Sequence, residues 1–600
     1  MAEKLKERKD MDKRYFWDLT SLFKNDAAWE KALKELDKEL PKIAQFQGKL
    51  KDAKTIARCY KTMTKIELKV ENLFSYAHQR KDEDTRADKA QSMYARVFAK
   101  YVAINTASAY IEPEILSLPK AKLEKIAKDK ALADFRYNME KLLRAQPHTL
   151  SAEQENVLAQ MGESFATPRE VANTLMDADL VFAPVKDAKG KTQELTESNY
   201  ILLQRSTDRT LRKNAFDGFY KTYGEHNNTF AATYAAQVKT DAAGARMRHF
   251  AGSRAAGMHN ENIPAAVYDG LIKTIHKHMP TMYRYLKLRK KILGIRDLHY
   301  YDIYAPLAGA AAGHYTYEQA QKLVLEAVSV LGKEYTDTVK KAFRDRWIDV
   351  YPNRGKRGGA YSGGSYESNP YILLNYNGTL NDVSTLIHEM GHSMHSWYSK
   401  KHQPPQYAGY TIFVAEVAST VNENLLVETL LQRTKAPKQR MALLNQYLEG
   451  FKATVFRQTM FAEFEMKAHA MQESGRALNA TELNRLYLGL IKDYFGKDLI
   501  IDEAVQYEWS RIPHFYRPFY VYKYATGYSA AVALSDGILT KGDAAVKKYL
   551  EFLSLGGSCD PIDALKHAGV DLTKTAPIEQ AMKKFARVLD EAEEVAKQLK

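Results

Sequence analysis

The sequence predicts a mainly α-helical, multi-helix fold, and three observations carry that expectation. Apolar residues recur at helical spacing through most of the 600 residues, in runs over 29–45, 55–77, 84–110, 211–223, 264–293, 318–331, 438–471, 481–495 and 577–599. Two further segments open with capping signatures, Ser151 with Gln154 and Thr167 with Glu170, in which the hydroxyl accepts from a first-turn amide and the third residue answers back. Strand patterns are confined to two places. One is a hairpin over 180–195 turning at Gly190, and the other a short run over 371–376 that ends at Asn377-Gly378.

A chain of this length makes two to four compact units by the usual size of domains. The hairpin near 180–195 is the natural seam, dividing an N-terminal helical lobe, 1–205, from a second domain, 206–600. There are no Ser/Gly linkers, low-complexity tracts or internal repeats to suggest another organisation. With 45% hydrophobic and 27% charged residues the composition is that of a soluble globular protein.

Several function classes are disfavoured at this stage. No apolar run reaches the length of a membrane span, so no membrane association is expected. The opening MAEKLKERKDMDKRYFW lacks the apolar stretch of a secretory signal, and Cys59 and Cys559 make no disulfide framework, so the expected location is cytoplasmic. A net charge of +15 suggests nucleic acid as a partner class. Lys and Arg are interleaved with Glu and Asp along helical segments such as KALKELDKELPKIAQF, however, with no basic cluster and no stacking aromatics. That is a solvated helical surface, and no nucleic-acid partner is expected. Composition leaves the oligomeric state open.

The chemistry concentrates in NDVSTLIHEMGHSMHSWYSK, where His388, His392 and His395 fall within eight residues. Asn381 or Asp382 can cap a helix there, and Val383, Leu386, Ile387, Met390 and Met394 give it an apolar stripe. Residues four apart lie on one face about 6 Å apart along the axis, so His388 and His392 can converge on one ion. His395 lies roughly 10.5 Å along the axis from His388, too far to complete a tetrahedron with it. Glu389 stands beside the histidine face, where a general base takes a proton from a water on the metal without ligating it. That is the H-E-x-x-H arrangement.

A third ligand must come from elsewhere. In GYTIFVAEVASTVNENLLVETLL, Glu416 is the lone carboxylate of an apolar, small-residue run. A carboxylate in such a run needs a partner, because desolvation costs several kcal/mol, and a cation is the natural one. Glu423, seven residues on, shares its helical face and can orient a ligand histidine through the other ring nitrogen. His395 can play a similar outer role or simply pack. Two His, one Glu and an open position describe a catalytic rather than a structural site. The layout with a third histidine at H-x-x-G-x-x-H is excluded, since His395 stands at the glycine position and Tyr398 at that histidine.

Two flanking segments supply candidate contacts. Upstream, GKRGGAYSGGSYESNPYILLNYNGTL has a glycine loop and then the 371–376 strand, a template for an extended peptide that pairs main chain to main chain. Gly359, Gly363, Tyr371 and Asn375 are the candidate substrate contacts there. Downstream, RIPHFYRPFYVYKYATGYSAA holds His514 and five tyrosines. A tyrosine is an un-ionised donor at neutral pH, suited to an oxyanion. If the segment after Pro518 is helical, Tyr520, Tyr524 and Tyr528 share a face and Tyr522 points away.

The chain resembles the thimet-oligopeptidase-like zinc metallopeptidases, and within them the oligoendopeptidase F branch. The stretches that carry the resemblance are TLIHEMGHSMHS, FVAEVASTVNE, PHFYRPFYVYKYATGYSA, LSLGGSCDPIDALKHAGVD, FWDLTSLF and FAPVKDAKGKTQELTESNY. Together they cover essentially the whole chain in collinear order. By that resemblance His388, His392 and Glu416 match the ligands of one zinc ion per chain, and Glu389 its general base. His514 and the tyrosines after it, Tyr520 and Tyr524 with Tyr522 as substitute, match the groups that stabilise the tetrahedral intermediate. The resemblance also implies a two-lobed zincin-type fold, with a small β element beside the histidine helix and a deep central channel. It implies internal cleavage of short unstructured oligopeptides. Two rivals remain open. One is a zinc carboxypeptidase or dipeptidyl carboxypeptidase with Arg511 and Arg517 as carboxylate clamps; the other is a non-catalytic helical binding protein that retains a metal site.

Overall fold

A computed structural model of the protein describes residues 5–307 and 313–599. In chain order, the helices that form the cores or carry the candidate residues are α1 (Ala53–Glu83), α2 (Asp88–Ser108), α3 (Asn227–Met247), α4 (Ala265–Leu293), α5 (Leu380–His402), α6 (Ile412–Arg433), α7 (Arg457–Glu473), α8 (Tyr522–Lys541) and α9 (Asp543–Leu555). Local chemistry sets their ends. The Asp52 carboxylate accepts from the Thr55 amide at the start of α1, and Gly294, with its left-handed φ of 64°, stops α4.

Most of the periodic runs are helices, with three instructive differences. The 29–45 run is two helices, Asp26–Leu36 and Leu40–Ala44, because Pro41 has no amide to continue the first and instead starts the second. The 438–471 run is interrupted by a π turn at Phe451–Phe456. The Ser151 box forms as expected, but Thr167 opens no helix. It sits inside Gly162–Thr174 and its hydroxyl donates back to the Glu163 carbonyl. Helix α3 escapes the periodicity because alanines fill so much of it that the contrast between its faces is small.

The strands are short. β1 (Val185–Lys186) and β2 (Thr192–Gln193) make the expected hairpin, with Gly190 at φ 79° supplying the turn. β3 (Ile348–Asp349), β4 (Tyr361–Gly363) and β5 (Tyr371–Leu373) form a sheet of order β3-β5-β4, parallel at β3 and antiparallel at β4. The strand expected over 371–376 is therefore the middle of its sheet, and the edge beside it is β4.

The chain gathers into two compact units, each built from distant segments: Met1–Thr149, Gly313–Thr429 and Leu534–Gly569 in one, Leu150–Ala312, Leu430–Ala533 and Val570–Lys600 in the other. This grouping interleaves segments where the sequence expectation divides the chain once, at 205/206.

In the first unit, Trp29, Ile56, Leu73, Met93 and Val97 form a core that extends to Tyr371 and Leu373 of β5. Each large apolar side chain so buried contributes about 1.5–3 kcal/mol before entropy is counted. In the second, an aromatic cluster of Tyr200, Phe216, Phe219, Tyr220 and Tyr223 adjoins a buried charge, Glu508. Burial opposes its ionisation, but Arg457 at 2.9 Å and the Tyr487 hydroxyl at 2.6 Å hold its pKa below the ordinary value. Among the described residues no helix is long and apolar enough to cross a membrane.

Candidate functional site

Helix α5 begins at a capping box. The Thr379 hydroxyl accepts from the Asp382 amide and Asp382 accepts from the Thr379 amide at 2.8 Å, so the cap is Thr379 rather than Asn381 or Asp382. One face of α5 is fully buried through Val383, Leu386, Ile387, Met390 and Met394, which orients the rest of the helix.

On the open side His388 and His392 stand one turn apart, ring centroids 4.9 Å from each other. Glu416 of α6 reaches both: its Oε2 lies 3.3 Å from His388 Nε2 and 3.5 Å from His392 Nε2. The three donor atoms all fall within 4.8 Å of one another, the only such group found among the described residues. The other ring nitrogen of His388, Nδ1, lies 3.1 Å from Glu423 Oε1, which fixes the tautomer and turns Nε2 toward Glu416.

A glycine makes this possible. A Cβ on Gly391 would lie 2.5 Å from Ser419 Cα and 2.8 Å from the Ala418 carbonyl, so only glycine lets α5 and α6 touch backbone to backbone beside the ligands. Asn422 adds a tie between them, donating to the Ile387 carbonyl at 3.3 Å.

The field of the cluster suits a cation. Burial pulls the His388 pKa down, but hydrogen bonds with Glu416 and Glu423 outweigh it and carry the imidazole up to about 10. Hydrogen bonds from His388 and His392 in turn hold the Glu416 carboxyl far below the usual range. Sites that draw a proton this strongly onto imidazole draw a divalent ion by the same complementarity, and two His nitrogens with one carboxylate oxygen are a suitable donor set. The residues fit a metal ion.

Glu389 is 7% exposed, and its carboxylate makes no hydrogen bond among the described residues. Burial raises its pKa, with His388 and His392 opposing. His395 is packed, not ligating. Its ring stacks on Tyr410 at 3.6 Å and 4°, and burial keeps it neutral with a pKa of about 3.

The small sheet joins α5 directly, through Ser362 Oγ and Ser393 Oγ at 2.8 Å. Gly363 ends β4, and Gly359 lies in the loop before it at φ 82°. Asn375 pins that loop by donating to the carbonyls of Arg357 and Gly359 at 3.0 and 2.8 Å. Gly359, Asn375, Asn381 and Thr385 share a cavity of about 250 Å³ one turn before His388. Tyr371 differs from the expectation of a substrate contact. It is fully buried, its hydroxyl is engaged with Asp18 and Ser21, and its backbone lies in the middle strand.

In the second unit the downstream segment gathers its own cluster. His514 Nε2 lies 3.3 Å from the Tyr524 hydroxyl, and the Tyr520 ring runs nearly parallel to the imidazole at 14°. Burial, with Arg517 adding to it, lowers the His514 pKa and favours the neutral ring. Tyr520 precedes α8 rather than belonging to it, and Tyr522 is core, against Tyr268 at 4.9 Å. Arg511 is no free clamp: its Nη2 lies 2.7 Å from Glu197, and its guanidinium packs over Tyr200 and Phe219.

The family model for peptidase family M3 matches residues 202–584, and that for oligopeptidase F matches 114–182. Oligopeptidase PepF of Bacillus subtilis is 43% identical, covering 100% of this chain and 90% of the relative. Group B oligopeptidase PepB of Streptococcus agalactiae is 40% identical over 98% of both. Among solved structures, oligoendopeptidase-F from Enterococcus faecium superposes with a TM-score of 0.73 at 35% identity, covering 96% of this chain and 99% of that one. A chain from Chlamydophila abortus reaches 0.95 at 33% identity, covering 99% and 100%.

Proposed function

The chain belongs to peptidase family M3, and from that premise we propose that it is a zinc-dependent endopeptidase that hydrolyses internal bonds of short unstructured oligopeptides. The fold is mainly helical and of zincin type. The observation that carries the proposal is the convergence of His388, His392 and Glu416 within one ion's reach, with an unengaged Glu389 beside them.

His388, His392 and Glu416 would hold one zinc ion per chain, and Glu423 would orient His388. A bound zinc supplies Lewis-acid polarisation of a water and of the substrate carbonyl. Glu389 takes the proton of the attacking water and later passes it to the leaving amine, a role suited to a carboxylate whose pKa burial has raised. His514, Tyr520 and Tyr524 are assigned to the developing oxyanion, with the neutral His514 engaging the Tyr524 hydroxyl. The β4 edge pairs with an extended peptide, with Gly359, Gly363 and Asn375 shaping its approach.

We assign 206–600 as the catalytic domain and 1–205 as the N-terminal lobe, supported by the family match over 202–584. The bacterial oligopeptidase relatives support oligopeptides as substrates; a cytoplasmic setting is part of the same proposal, with no nucleic-acid or membrane partner assigned. The carboxypeptidase rival loses support because Arg511 is engaged by Glu197.

The test is Glu389→Gln. It should bind zinc as tightly as the parent and lose at least about a hundredfold in kcat, the usual worth of a general base. Activity near that of the parent would sink the assignment.

A further inference from the structure

Phe519, the residue before Tyr520, has its backbone at φ 53°, in the left-handed region. An L residue with a bulky side chain is uncommon there, and such a turn persists only where its surroundings impose it. The imposing group is on α7. The Phe519 amide donates to Glu465 Oε1 at 2.7 Å. The Phe519 ring is packed against His469 at 4.8 Å and Tyr268 at 6.0 Å. On the far side stands Gly257, where an added Cβ would come within 3.0 Å of the ring.

Glu465 is 0% exposed, and its second oxygen has no hydrogen-bond partner among the described residues. The one nearby imidazole serves other groups: His469 Nδ1 bonds the Glu465 main-chain carbonyl at 2.9 Å and its Nε2 lies 3.1 Å from Asp241. The charges that act on Glu465 are those of His469 and Asp241, while Tyr234, Tyr268 and Tyr522 are neutral phenols that feel its own. A buried carboxyl with no cation on it is poor material for a core, where an apolar residue of its size is often neutral or better. What it alone provides here is an acceptor for an amide held at a positive φ.

We propose that Glu465 is a positioning residue for the reaction: its carboxyl oxygen locks the Phe519 turn and so aims Tyr520 and Tyr524 at their places beside His514. This rests on the assignment of His514, Tyr520 and Tyr524 to the oxyanion. The geometry it protects is tight, with the Tyr524 hydroxyl 3.3 Å from His514 Nε2 and 3.5 Å from the Tyr520 hydroxyl. Misplacement of such donors by about 1 Å costs on the order of a hundredfold in rate.

The test compares Glu465→Leu, which keeps volume without the acceptor, Glu465→Gln, which keeps the acceptor, and the references Tyr520→Phe and Tyr524→Phe. All are full-length, zinc-loaded chains, assayed on one quenched-fluorescence oligopeptide. Glu465→Leu should lower kcat about tenfold or more with KM within about threefold and zinc content unchanged, while Glu465→Gln retains most of kcat. Two results would overturn the proposal: Glu465→Leu with kcat near the parent while a Tyr→Phe reference falls, or Glu465→Gln falling as far as Glu465→Leu. If neither Tyr→Phe reference lowers kcat, the oxyanion assignment is what fails. Should Glu465→Leu not fold, Glu465→Met, whose flexible chain fills the same volume, is judged by the same two results.

Discussion

His388 and Glu423 share a hydrogen bond, Nδ1 to Oε1 at 3.1 Å, from helices that also meet backbone to backbone at Gly391 and Ser419. The pair makes the site directional. With Nδ1 engaged by Glu423, the other ring nitrogen of His388 is the one that faces Glu416 and His392.

Glu423→Ala should therefore weaken zinc binding about 10–100-fold, the usual effect of losing the partner that orients a ligand histidine. Competition against a chromophoric chelator measures this. Unchanged affinity would mean that His388 needs no orienting partner.

Gly391→Ala should damage both stability and metal binding, because the new methyl meets backbone, which has little room to yield. Overpacking of this kind costs about 1–3 kcal/mol. Gly537→Ala on α8 is the control, since a Cβ there meets nothing within 4 Å and alanine is the better helix former. Thermal melts with and without zinc should separate the two. Equal melting temperatures would contradict the close approach.

Tyr524→Phe should lower kcat by about 10²–10³, the worth of one oxyanion donor, with KM little changed. Zinc content should remain that of the parent. A loss confined to KM would instead make Tyr524 a ground-state contact.

Stability should depend on pH through Glu465. Burial, with His469 and the Phe519 amide opposing, pushes its pKa from 4.5 up to about 8. The folded chain thus keeps a proton that the unfolded chain has released, so the stabilisation is full below the unfolded pKa. It is lost as pH rises toward 8, at up to about 1.4 kcal/mol per pH unit. Glu465→Gln has no such proton, and its melting temperature relative to the parent should rise between pH 5 and 8. A constant difference would show that Glu465 does not titrate there.

These residues also mark how much the sequence discloses. His388, His392 and Glu389 are legible because their chemistry depends on i, i+1 and i+4 spacing alone, and Glu416 because it is a lone carboxylate in an apolar run. Gly391 is legible only as part of a motif. Its reason is a contact with Ser419, and close approach of two backbones leaves no periodic trace.

The place of β5 in its sheet depends on β3 and β4, of two and three residues, which are too short to show alternation. Tyr371 consequently looks like an edge residue in sequence and is core in the fold. Glu465 is hidden differently. Two residues earlier Glu463 pairs with His276 and Lys467, and nothing in FAEFEMKAH distinguishes that paired carboxylate from the unpaired one. The split of 438–471 by a π turn likewise leaves the apolar pattern intact.

The most direct measurement is mass spectrometry of a graded set of peptides, about five to thirty residues long, digested with and without a zinc chelator and again after zinc is restored. Internal cuts confined to the shorter peptides, abolished by chelator and recovered with zinc, are the expected result. Trimming only from the C terminus, or cleavage that survives complete removal of metal, would contradict it.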